Sequence, residues 1–156
     1  MADQARDIEV ETTSDGLWIA GTAGRGRLAQ ISATVVRIDV EGHAYSEFAE
    51  AMQPSMDELV RSCGRLYLGI DAEGMTSYDG RFRYLWTEWL KANEQAVDGM
   101  LILFRSRIVQ SAAVIINAVT GAELVEACDD RDEFEDRLAG AVLRCRNAAS
   151  VAGSSG

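Results

Sequence analysis

Between Arg65 and Cys145 the chain alternates strand-type and helix-type segments with almost no spare residues. Arg65-Leu-Tyr-Leu-Gly-Ile70 is an apolar run ending at Asp71, and an amphipathic segment follows over 77–93. Met100-Leu-Ile-Leu-Phe104 is a second run of buried-strand type. A helical stretch over 108–119 stops at Gly121, Ala122-Glu-Leu-Val-Glu-Ala-Cys128 is a third strand, and Asp130 opens a last helix. Strands separated by helix-length segments cannot return as hairpins. Each connection must cross over the sheet, which makes neighbouring strands parallel and covers them with helices.

The chain before Arg65 adds an antiparallel start. Ile8, Val10 and Thr12 alternate with Glu9, Glu11 and Thr13, and Asp15-Gly16 is a two-residue turn signal before Leu17-Trp-Ile-Ala20. Residues 21–30 carry Gly21, Gly24 and Gly26 and read as a loop. Over 33–41, Val36, Ile38 and Val40 face one way while Arg37, Asp39 and Glu41 face the other. This predicts a third, solvent-facing strand, with Glu41-Gly42-His43 as the turn after it. The expected architecture is therefore α/β: a mixed β-sheet with an N-terminal antiparallel hairpin and parallel βαβ crossovers, helices mainly on one face.

Four helices are expected. In 45–63, Phe48, Met52, Met56, Leu59, Val60 and Cys63 form one stripe; Pro54 should kink or restart the helix, and Gly64 ends it. In the second, Thr76 or Ser77 serves as cap, and Phe82, Leu85, Trp86, Trp89 and Leu90 make the apolar face. The last helix is capped by Asp130 and turns Phe134, Leu138, Ala141, Val142 and Cys145 inward. The third is apolar on more than one side. Ile108, Ala112, Ile115, Ile116 and Val119 suffice for a core stripe, which leaves Val109, Ala113, Val114 and Ala118 on other faces. A helix of this kind is either buried all round or part of an interface. The reading favours an interface and puts Val109 and Ala113 in it.

Composition narrows the function. With 156 residues the chain is read as one domain over 1–150, followed by a small, polar, flexible tail over 151–156. The net charge is −10, from 25 acidic and 15 basic residues. That balance argues against nucleic acid and anionic membrane surfaces as partners, since both require a basic footprint. No apolar run is long enough for a membrane span, and residues 1–7 lack a signal-peptide core. Cys63, Cys128 and Cys145 have no zinc-like spacing, and three thiols suit a reduced, cytoplasmic protein.

No catalytic constellation stands out. Asp71 ends a central strand, where open α/β sheets place their sites. However, Asp71-Ala-Glu-Gly74 lacks the further acids and the lysine that phosphoryl chemistry needs, so Asp71 reads as a loop or cap carboxylate. Gly21-Thr-Ala-Gly-Arg-Gly26 matches no phosphate loop. Asp129-Asp-Arg-Asp-Glu133 lacks the alternating ligands and glycine of a calcium loop, and helix capping accounts for it. His43 is the only histidine; it excludes a paired-histidine metal site and reads as an exposed turn residue. The expectation is a non-enzyme with no cofactor and no metal.

Two segments carry a family resemblance. Leu66-Tyr-Leu-Gly-Ile-Asp71-Ala-Glu-Gly-Met75 resembles the strand and loop that lead into the second helix of STAS domains, the sulfate-transporter and anti-sigma-factor-antagonist fold. Leu124-Val-Glu-Ala-Cys-Asp-Asp130-Arg-Asp-Glu-Phe134 resembles the last strand and helix start of that family. The resemblance implies a regulatory module that docks a protein partner, and the reading of the helices puts that surface on the second and third. Classical antagonists carry a phosphorylatable serine at the mouth of the second helix. Here Asp79 precedes that neighbourhood and Gly80-Arg81 fill it, so the resemblance implies a member without that phosphoswitch.

The functional expectation is a non-enzymatic interaction module whose partner surface includes Asp79, Arg81, Arg83, Arg105, Val109 and Ala113. Two alternatives stand beside it: a homo-oligomeric scaffold component, and a binder of a small apolar ligand or lipid tail between the third helix and the sheet.

Overall fold

The computed structural model describes residues 7–120 and 124–154. A single mixed sheet organises them. Strands β1 (Glu9–Thr12), β2 (Gly16–Ala20), β3 (Gly24–Ser32) and β4 (Val35–Ala44) form an antiparallel meander. β5 (Leu66–Ala72) pairs parallel with β4, β7 (Val97–Phe104) with β5, and β8 (Val125–Cys128) with β7. A short strand, β6 (Met75–Tyr78), takes over from β5 as the partner of β4 at Gly42, His43 and Ala44. Helices α1 (Ser46–Cys63), α2 (Gly80–Ala92), α3 (Arg107–Thr120) and α4 (Arg131–Ser154) connect and follow these strands.

Period-two alternation in the strands sorts the core into two faces. Val36, Ile38, Leu68, Met100 and Ile102 meet Phe48 and Met52 of α1, Trp86 and Trp89 of α2, and Val109, Ala113 and Ile116 of α3. Val35, Leu101 and Leu103, one residue out of phase, meet Phe134, Leu138 and Ala141 of α4. Helices α1, α2 and α3 thus share one face, and α4 covers the other. The Asp130 cap is as expected: its Oδ1 accepts the Glu133 N–H at 3.1 Å.

Several local expectations are corrected. The loop expected over 21–30 is mostly strand β3. Its inward positions are Gly26 and Leu28, so the alternation is disguised by a glycine. A Cβ on Gly26 would lie 3.0 Å from Met52 Cε and 3.3 Å from Phe48, and the missing side chain lets α1 lie close to the sheet. β4 is not a solvent-facing strand: partners flank it on both edges, and Val36, Ile38 and Val40 are buried. His43 lies within β4 rather than in a turn. The turn-like Glu41-Gly42-His43 is a register shift inside the strand, where Gly42 takes φ 70°. Thr76 and Ser77 belong to β6, and the residue at the α2 N-cap is Asp79. α1 runs unbroken through Pro54, and Gly64, at φ 80°, ends it. The helix α4 extends to Ser154, so residues 151–154 continue it; Gly121, expected to stop α3, and residues 122 and 123, expected in the last strand, lie outside the described residues.

Candidate interaction site at the α2 and α3 face

Asp79 is the anchor of the mouth of α2. It does not cap its own helix through its side chain. Its Oδ1 accepts a hydrogen bond from His43 Nε2 at 2.8 Å, and its Oδ2 accepts the Ser46 N–H at the start of α1 at 2.9 Å. An ionised carboxylate only accepts, so the His43 ring donates from Nε2, and its Nδ1 lies 2.7 Å from the Ser77 hydroxyl. The Tyr45 ring stands edge-on to His43 at 4.8 Å. Three separate segments, β4, β6 and the residue before α2, converge here, and the single carboxylate ties α1 to both.

The order serine, imidazole, carboxylate has the connectivity of a nucleophilic triad. Ser77, however, sits in a paired strand, and it lines neither the apolar cavity nor the polar basin described below. The arrangement does chemically what a structural relay does: it satisfies three half-buried polar groups and fixes where α2 begins.

Beside this mouth, α2 and α3 lie over the sheet with a gap between them. The gap is an apolar cavity of about 60 Å³. Ile38, Ile70 and Ile102 form its floor, Phe82, Trp86 and Val109 line its walls, and Tyr78 and Arg83 also line it. Ile70 is only half-buried although its strand is central, so the cavity reaches the surface.

The residues expected on the partner surface divide between positions. Arg81 is exposed and pairs with Glu50 at 3.4 Å. Arg105 is exposed and lies 3.6 Å from Glu73. Arg83 is half-buried at the cavity, and no carboxylate pairs with it among the described residues. Val109 and Ala113 are a correction. They are 5% and 3% exposed and point into the core with Ile116. The apolar excess of α3 is on its other side, where Ile108, Val114 and Ile115 are 51%, 64% and 39% exposed. Both sides of the helix are apolar at helical spacing, so the period alone does not say which one faces inward.

On the α4 face, Asp71 belongs to an ion-pair network. It accepts Arg37 Nη2 at 3.0 Å and Arg131 Nη2 at 2.9 Å. Arg37 also pairs with Asp39 at 3.1 Å and with Glu135 at 3.0 Å, and Arg131 pairs with Glu73 and Glu135, both at 3.2 Å. Asp39, Asp71, Glu73 and Arg131 of this network line a polar basin. Burial pushes the Asp39 carboxyl up, opposed by Arg37. Burial also works against the Arg37 charge, but the carboxylates of Asp39 and Glu135 outweigh it and hold the guanidinium charged. Guanidiniums occupy the carboxylate lone pairs that a cation would use. Among the described residues no group of His, Cys, Asp and Glu is placed to hold a metal, and no helix is long and apolar enough to cross a membrane.

No family model matches the chain, and no curated protein matches it. Solved structures do. An uncharacterized protein of the DUF3478 family with a SpoIIAA-like fold, from Shewanella loihica PV-4, is 13% identical with a TM-score of 0.54, covering 88% of this chain and 98% of that one. The anti-sigma factor antagonist SpoIIAA in its unphosphorylated form is 15% identical with a TM-score of 0.52, covering 74% of this chain and 96% of that one. Together with the mixed sheet and its split of helices between two faces, these likenesses give the chain a STAS-like, SpoIIAA-like fold.

Proposed function

We propose that the protein is a non-catalytic interaction module that docks another protein through the outer face of α3 and the start of α2. The observation that carries this reading is the exposed stripe of Ile108, Val114 and Ile115 on α3. Large apolar side chains grouped on one helix face are a characteristic of interaction surfaces. One protein of similar fold is an anti-sigma factor antagonist, which supports the same class of role.

The charge around the stripe selects the partner. Arg81 and Arg83 begin α2, Arg105 and Arg107 lead into α3, and neither helix has an acid in its first turn. Cations at a helix N-terminus oppose the macrodipole. An acidic partner relieves that cost and is steered to the site, although the chain as a whole carries −10. A two-fold contact between copies would bring these arginine rims together, so a different protein with an acidic rim fits better than a homo-oligomeric scaffold.

The test compares Val114→Glu with Leu143→Glu, an exposed apolar position on α4. Cross-linking in native extract should lose its specific adduct with Val114→Glu and keep it with Leu143→Glu. Equal adducts from both variants would remove α3 from the contact.

A further inference from the structure

The apolar cavity beneath α2 and α3 has a composition that points to a ligand. Its volume of about 60 Å³ exceeds the ~10–15 Å³ that one water needs. Its floor offers water none of the partners that a buried water requires. The space is smaller than the ~150 Å³ that an aromatic ring fills, and it opens to the surface, so it suits the end of a linear chain.

Two of its lining side chains carry polar groups without partners among the described residues. The Arg83 guanidinium is half-buried, yet among the described residues no carboxylate pairs with it, in a chain that holds 25 acids. The Tyr78 hydroxyl also has no hydrogen-bond partner among the described residues. A guanidinium without a counter-charge is open to an anion, and its planar fork matches a carboxylate.

We propose that this cavity binds a small linear monocarboxylate, with its alkyl chain between α2 and α3 and its carboxylate on Arg83 and Tyr78. Chain length beyond the enclosed space lies along the opening beside Phe82 and Ala112, both half-buried. The ligand fills space that the protein leaves dry, and its head supplies the charge that Arg83 lacks. Ile108, Val114 and Ile115 do not line the cavity, so Arg83 is the one residue it shares with the proposed docking surface.

Titration calorimetry with decanoate and with decanol tests the proposal. Tryptophan fluorescence serves as a second signal, since Trp86 lines the cavity. Decanoate should bind saturably and decanol about tenfold more weakly, the difference made by one charge-assisted contact. Arg83→Met should reduce decanoate to the affinity of decanol, and Ala112→Phe, which fills the cavity, should remove both. Urea midpoints near that of the parent show that these variants fold. Ile108→Glu should leave decanoate binding unchanged whatever happens to partner docking. No saturable decanoate signal, or equal binding of acid and alcohol with Arg83→Met unaffected, would overturn the proposal.

Discussion

His43 Nε2 donates to Asp79 Oδ1 across 2.8 Å, and this contact joins strand β4 to the residue that starts α2. Asp79 also accepts the first backbone N–H of α1. The positions of the two helices therefore depend on one half-buried carboxylate. Asp79→Ala should cost about 1–3 kcal/mol, because it leaves two donors without an acceptor. A double-mutant cycle with His43→Ala in urea should show a coupling of about 0.5–3 kcal/mol. Strict additivity would mean that the contact contributes nothing.

Trp86 is buried among Phe82, Trp89 and the sheet. Trp86→Ala should cost about 3–5 kcal/mol, as for truncation of a large core aromatic. Arg83→Ala, three residues earlier, should change stability by less than about 0.5 kcal/mol, since Arg83 is outside the buried core and makes no ion pair among the described residues. Equal losses in urea melts would show that the face of α2 is misassigned.

Burial holds the Asp39 carboxyl above its ordinary 3.8, with the attraction of Arg37 compensating only in part. A carboxyl with a raised folded-state pKa binds its proton more tightly when folded, so its ionised form costs stability. The cost is present above the folded-state value and disappears as the pH falls below 3.8. Asp39→Asn should therefore raise the urea midpoint at neutral pH, with the gain shrinking as the solution is acidified through that window. Arg37 keeps Asp71 and Glu135 in the variant. A variant that is less stable at neutral pH would show that the Arg37–Asp39 pair is net favourable.

The mouth of α2 should carry no phosphorylation switch. Gly80 and Arg81 follow Asp79, and the Ser77 hydroxyl is engaged by His43. Phosphopeptide mapping of protein from its native cell should find Thr76 and Ser77 unmodified. Stoichiometric phosphate at either would restore a switched antagonist reading.

Much of the fold is legible in the chain. The apolar runs at Leu66 and Met100, the α1 stripe and the Asp130 cap are local signals, and each gave its element. β3 was hidden because Gly24 and Gly26 look like loop residues. A Cβ on Gly24 would meet the His43 carbonyl oxygen at 2.1 Å, so that glycine marks close approach of strands and not a free loop. β6 was hidden because it is only four residues long and abuts α2. The site was less legible. His43, Ser77 and Asp79 come from separate segments, and no spacing rule connects them. On α3, Val109 and Val114 have equal apolar character, and only the packing against the sheet distinguishes inside from outside. The arginines at the starts of α2 and α3 were visible in the sequence, but the cavity behind Arg83 needs the sheet to define it.

The central claim is that α3 presents its outer face to an acidic protein partner. The most direct measurement is cross-linking in native extract of the parent, of Val114→Glu and of Leu143→Glu, after far-ultraviolet circular dichroism has shown that all fold. An added carboxylate at a desolvated apolar contact is strongly unfavourable. The account predicts loss of the specific adduct for Val114→Glu alone. An adduct retained by Val114→Glu at parental yield would contradict it.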